Sequence, residues 1–176
     1  ILAAMGADYY PRLTEISHDH DEMGRLVNEQ TQIGLLLAVP GLLATLTFAP
    51  LIIQLIYTNE FLPAADLLPW FILGCLGRVI SWPLGFVMLA LAKSNWFFIT
   101  ETTFTLLHLV MIWFGLVIVG VEGVAIAFFA IYLCYIVALY SVVRYLIGFR
   151  WANATLRLLY IFLPIAMFAF ISGRLL

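Results

Sequence analysis

The sequence predicts an all-α integral membrane protein, a polytopic helix bundle, and three observations lead there. Hydrophobic residues make up 65% of the chain and charged residues only 10%, against roughly 25% charged in an ordinary globular domain. Five apolar runs are long enough to cross a bilayer. The polar connections between those runs are mostly short, and their basic residues fall in every other one. A single core in 176 residues could not enclose this much apolar surface, whereas a bilayer accepts it. Nothing alternates with period two, and lipid-exposed sheets must close into barrels, so strands are excluded. Residues 1–176 read as a single transmembrane helical domain.

Each element has its own reason. Residues 1–10 open abruptly with Ile1-Leu2-Ala3-Ala4-Met5-Gly6-Ala7, too short to span and without a preceding basic region. They are expected to be the tail of a truncated span in a fragment of a longer protein. Residues 11–30 are the only sizeable polar stretch. There Asp19, with Glu22 three residues on, can cap a helix, and Met23, Leu26 and Val27 give that helix one apolar face. The pattern predicts a short amphipathic connector lying along the cytoplasmic surface. The complete spans follow at 31–56, 67–92, 97–119, 122–145 and 157–175. At ~1.5 Å per residue each can cross, the longer ones with tilt or a kink. Pro40, Pro50, Pro83 and Pro164 interrupt these runs, as in the broken helices of transporters, although membrane helices also tolerate proline for packing reasons.

Orientation follows from the basic residues. Arg12 and Arg25 lie in 11–30, Lys93 in 93–96, and Arg144, Arg150 and Arg157 in 144–157. The connections at 57–66 and 120–122 hold none, so six of the eight basic residues occupy alternate loops. The positive-inside rule makes 11–30, 93–96 and 144–157 cytoplasmic. Trp70, Trp96 and Trp151 fall near the expected interfaces. The sequon Asn153-Ala154-Thr155 is then cytoplasmic and is discounted as a glycosylation site.

Arg78 is the sharpest chemical feature, because it stands near the middle of the 67–92 run. An arginine at the bilayer centre costs ~2.5–3.5 kcal/mol on insertion scales, so it is expected to face protein or water. Gly74, Ser81 and Gly85 share its helical face. Those small residues either leave room for a ligand beside the guanidinium or let a neighbouring helix approach closely. Glu101, Thr105 and His108 form a second stripe, spaced i, i+4 and i+7 on one face of the 97–119 run. Glu101 and His108 suit relaying protons, pairing with Arg78, or lumenal polar and ion-coupling roles; otherwise Glu101 reaches the interface and His108 bonds a neighbouring helix. Asp8 lies four residues before Arg12, the spacing of a local ion pair.

Other chemistries find no support. His18-Asp19-His20-Asp21-Glu22 contains metal-ligating types, but alternating residues point apart on a helix, so no metal site is assigned. Cys75 and Cys134 sit inside apolar runs, which argues against a disulfide framework. There is no phosphate-cradling glycine loop, zinc-protease helix or nucleophile elbow. No cofactor is expected. The net charge of -2 is too small to imply a nucleic-acid partner.

The stretch Ala7-Asp8-Tyr9-Tyr10-Pro11-Arg12-Leu13-Thr14-Glu15-Ile16-Ser17 resembles the signature that ends a helix in the multidrug/oligosaccharidyl-lipid/polysaccharide exporter superfamily. Two further stretches match in order. One is Leu55-Ile56-Tyr57-Thr58-Asn59-Glu60-Phe61, and the other is Gly77-Arg78-Val79-Ile80-Ser81-Trp82-Pro83-Leu84-Gly85 followed by Ala90-Leu91-Ala92-Lys93. The pattern is most similar to the O-antigen translocase, or polysaccharide transporter, branch. The resemblance implies the C-terminal lobe of a MATE-like flippase fold, with the five complete spans plus the end of one more. It implies translocation of an undecaprenyl-pyrophosphate-linked oligosaccharide across the bacterial inner membrane by alternating access. Polysaccharide polymerase and assembly proteins would be partners beside the bilayer and the lipid-linked substrate. Of the candidate residues, only Arg78 matches the cationic lumen that the resemblance implies. A multidrug exporter of the same superfamily is the nearest alternative. A membrane enzyme acting on polyprenyl-linked sugars would need a large external loop, so no enzyme is expected.

Overall fold

The computed structural model describes residues 2–56 and 64–175, with side chains described over 5–48 and 66–172. Six helices account for nearly all of it: α1 Leu2–Glu15, α2 His20–Ile56, α3 Ala64–Ala90, α4 Ser94–Ile118, α5 Val121–Ile147 and α6 Asn153–Leu175. No strand occurs among the described residues. Five of these helices, α2 to α6, are long and apolar enough to cross a membrane. Residues 57–63 lie outside the described residues, and with them most of the 57–66 connection and the Tyr57–Phe61 part of the second matching stretch.

The polar stretch 11–30 does not form a separate connector. Pro11 to Glu15 complete α1, a turn follows at 16–19, and residues 20–30 are the first turns of a 37-residue α2, about 55 Å long. Asp19 does cap the helix: its Oδ1 accepts the backbone N–H groups of Asp21 and Glu22, at 3.1 and 3.0 Å. What the pattern missed is continuity. Met23, Val27, Thr31, Leu35 and Val39 follow one another every four residues and are all buried, so a single stripe runs from the polar turns into the apolar ones. No proline interrupts it before Pro40. The face expected to lie on a membrane surface packs instead against Leu13, Val87, Val143 and Phe149.

The bundle is ordered α6–α2–α3–α5–α4, with α1 against one end of α3 and α2. Helix α3 is central, and two-thirds of its apolar window is buried (67%). Helix α4 is peripheral. Its apolar window is 0% buried, and Leu106, Trp113, Val117 and Ile118 stand exposed along it, a surface that hydrocarbon matches and water does not. The two cores lie at opposite ends of the bundle. One gathers Tyr9, Leu13, Met23, Met88 and Leu139, and the other Leu35, Leu46, Ile72, Leu76 and Phe170.

Tight turns enforce the antiparallel succession. After α3, the Ala92 N–H bonds the Leu89 carbonyl and the Lys93 N–H bonds the Met88 carbonyl, the paired bonds of a Schellman cap. Ala92 takes the left-handed position at φ 55°, where glycine is usual. Gly120 (φ 86°) turns α4 into α5, and Gly148 (φ 70°) ends α5. Gly115 and Gly123 face each other across the α4–α5 turn so closely that a Cβ on either would overlap the other's carbonyl.

Arg12 at the end of α1, Arg25 near the start of α2, Lys93 in the α3–α4 turn and Arg150 between α5 and α6 thus share one end of the bundle. Asn28, 5% exposed, ties that end together. Its Nδ2 donates to the Arg150 carbonyl (3.1 Å), and its Oδ1 accepts the Ala152 N–H (2.8 Å) and the Thr155 hydroxyl (2.9 Å). Thr155 is fully buried and also accepts a bond from Gln32 (2.9 Å), so the sequon's threonine is a packing residue. Leaving such buried groups unpaired costs ~1–3 kcal/mol. Asn28→Ala is therefore expected to destabilise the fold by about that amount, measured as a lower thermal midpoint in detergent. Asn28→Asp, which keeps the acceptor, is expected to fall between that variant and wild type.

Candidate functional site

The site is built on the α3–α5 contact. Three apolar residues, Leu76, Val79 and Ile80, anchor α3 in the core at 5–6% exposure. On its α5 side, Gly74 receives the ring of Phe128, and a Cβ on Gly77 would stand 2.9 Å from the Tyr132 Cβ. Without side chains at these positions α5 lies close against α3, the small-residue device of membrane helices. Arg78, next in sequence, turns to another side and is exposed. It lies twelve residues from either end of the Asp66–Ala90 span, about 18 Å along the axis each way.

Arg78 borders a cleft of ≈240 Å³ between α3, α4 and α5. Ser81 and Gly85 line it from α3, Glu101 from α4, and Tyr132 and Tyr135 from α5. Among the described residues, no hydrogen bond or ion pair engages the Arg78 guanidinium. The small-residue face thus divides its work. Gly74 admits a neighbouring helix, whereas nothing lies within 4 Å of where a Gly85 Cβ would be, and that space belongs to the cleft.

The Glu101, Thr105 and His108 stripe lies on one face, as its spacing requires, and lines a second cavity of ≈120 Å³ with Tyr132 and Tyr135. Glu101 is half-buried, and its Oε1 accepts a hydrogen bond from the Tyr135 hydroxyl. Thr105 is exposed and His108 half-buried. The His108 Nε2 is enclosed without a partner among the described residues, beside the Phe128 ring at 6.0 Å between centroids. Buried polar atoms normally find partners, so this nitrogen remains available to a ligand or to water. Glu101, Tyr132 and Tyr135 border both cavities and join the two sequence-predicted stripes into one polar groove.

Tyr132 and Tyr135 were not anticipated. Counted as apolar, they disappear into the 122–145 run. The signal was two phenol hydroxyls three residues apart, on one helical face within an otherwise aliphatic span. The remaining candidates are local. Arg12 pairs with Asp8 at 3.4 Å, as their spacing suggests, and Arg25 pairs with Glu22 at 3.0 Å. His18 and His20 are exposed while Asp19 between them serves as the helix cap. Trp70 donates to Glu122 (3.0 Å) at the opposite end of the α3–α5 contact.

The first and last of the stretches that carry the resemblance meet in space. Tyr9, 1% exposed, donates its hydroxyl to the Pro83 carbonyl at 3.0 Å, and its ring packs on Trp82 and Phe86. Compared with known proteins, the chain matches no family model, no curated sequence and no solved structure.

The contrast between the two glycines is testable. Gly77→Ala forces α5 away from α3 and is expected to lower stability by ~1–3 kcal/mol. Gly85→Ala adds its methyl to open space, and the thermal midpoint of purified protein should stay level or rise.

Proposed function

We propose that this chain forms one lobe of a flippase in the bacterial inner membrane, with the basic end of the bundle cytoplasmic. The substrate is an undecaprenyl-pyrophosphate-linked oligosaccharide, an O-antigen unit or a similar surface polysaccharide unit, moved by alternating access. One observation carries the reading: an arginine halfway along an apolar helix, without a partner among the described residues, opens onto a polar cleft. A charge costly to place at that depth is kept for function more often than for packing. A guanidinium presents a planar fork that matches phosphate oxygens in pairs. The resemblance of the Ala7–Ser17 and Gly77–Gly85 stretches to the exporter superfamily supports the same reading, as does their contact through Tyr9 and Pro83.

In this mechanism Arg78 holds the pyrophosphate as the headgroup enters the cleft. The Tyr132 phenol offers a hydrogen bond to a sugar or phosphate oxygen, whereas the Tyr135 and Ser81 hydroxyls already donate to Glu101 and to the Arg78 carbonyl. The polyprenyl tail stays in hydrocarbon, which the exposed apolar face of α4 also meets. Thr105 and His108 extend the polar path along α4, where an ion can couple to the transition. No bond in the substrate is made or broken, so the chain acts as a transporter rather than an enzyme.

Glu101 supports a second reading. A carboxylate bordering the same cleft is what a cation-coupled multidrug exporter would offer to a cationic drug. Arg78 opposes that ligand by like charge, which ranks this reading second.

The test uses the full-length gene in cells lacking their own translocase, with surface polysaccharide as the readout. Wild type should restore display, and Arg78→Ala should reduce it at least about tenfold at equal membrane levels, the effect of losing one charge-assisted contact of ~1.5–3 kcal/mol. Partial recovery by Arg78→Lys would assign part of the effect to charge alone and part to the fork. Normal display from Arg78→Ala would make Arg78 a packing residue and remove the basis of the proposal.

A further inference from the structure

The two cavities share one wall, made of Glu101, Tyr132 and Tyr135. Glu101 therefore borders the compartment into which Arg78 opens as well as the one that holds Thr105 and His108. Its carboxylate accepts the Tyr135 hydroxyl and forms no ion pair with Arg78. Opposite charges in one cleft attract more strongly as water is excluded. Tyr132, on the shared wall, lines the cleft with both. The group bonded to that carboxylate is the Tyr135 hydroxyl and not the guanidinium across the cleft.

We propose that Glu101 is an internal competitor for the Arg78 site, held in reserve by Tyr135. With its carboxylate on Tyr135, Arg78 is free to take an anionic ligand. With its carboxylate on Arg78, the site is occupied by the protein itself. The ligand class follows from the competition. A carboxylate ligand would gain little over the carboxylate already tethered in the cleft, whereas a phosphate or diphosphate brings more charge and more acceptor oxygens to the same fork. Glu101 is thus a specificity-determining residue that selects phosphorylated ligands over carboxylated ones. The apparent affinity of the site falls in proportion to the fraction of molecules whose Arg78 is free. This inference rests on the reading of Arg78 as the anion-binding residue and adds the device that regulates it.

The experiment is calorimetric titration of the full-length protein in lipid nanodiscs with inorganic pyrophosphate. Glu101→Gln removes the competing charge at almost unchanged shape, and pyrophosphate should bind more tightly. Tyr135→Phe releases the carboxylate toward Arg78, and binding should weaken about 2–10-fold, the population change that one net hydrogen bond produces. The double variant is the decisive arm: with the competitor gone, Tyr135→Phe should have no further effect, and the pair should bind like Glu101→Gln alone. Additive effects in the double variant, or no tightening in Glu101→Gln, would overturn the competition while leaving Arg78 as the binding residue. Unchanged binding in Arg78→Ala would overturn the anion site itself, and the competition with it.

Discussion

The close contact of α3 with α5 is the constraint on which the rest depends. Gly74 and Gly77 leave no side chain between the two helices, and Phe128 and Tyr132 fill the space that a Cβ at either position would need. Because side chains on a helix are spread around its axis, fixing that face of α3 also fixes where Arg78 points. It is carried out of the packed interface to the edge of the cleft that α4 completes with Glu101 and α5 with its two tyrosines. A larger residue at Gly77 would separate the helices and open the cleft wall. The glycine therefore positions the site although it touches no ligand.

Around that contact the helices divide into a buried half and an exposed apolar half. Helix α2 packs along α3 from its capped start, and α6 closes the other flank. The Asn28 network locks the basic end of the bundle, with Tyr9 on Pro83 beside it. Helix α4 buries only Thr100 and rests on the rim of the bundle. That placement suits a wall that can move, because a helix with few buried contacts shifts at lower free energy than one locked in a core. The polar groups that α4 contributes, Glu101, Thr105 and His108, would move with it.

Much of this was legible in the sequence. The five apolar runs became five helices because length and hydropathy dictate spans directly. The Glu101, Thr105 and His108 stripe stayed on one face because helical period alone decides it. The cap at Asp19 formed for the same local reason. Features set by partners distant in sequence were not legible. A short polar stretch ahead of an apolar run looks the same whether it lies on a surface or continues into the span, and only the packing of Met23 and Val27 on α3 and α5 decides. Asn28 reads as an ordinary polar residue until Ala152 and Thr155 arrive across more than a hundred residues. Gly74 and Gly85 look identical in sequence, yet one meets a ring and the other open space. Tyr132 and Tyr135 count as hydrophobic, and their hydroxyls matter only because Glu101 and Arg78 stand opposite.

An anion site on α3 requires Arg78 to face water at mid-span in the assembled protein. Cysteine accessibility measures this most directly, in full-length protein whose Cys75 and Cys134 are replaced by serine. Arg78→Cys should react with a charged, membrane-impermeant thiol reagent. Leu106→Cys, on the exposed apolar face of α4, should react only with a lipid-soluble one. If the charged reagent fails at both positions while the lipid-soluble one reaches both, the cleft is dry and Arg78 serves packing rather than transport.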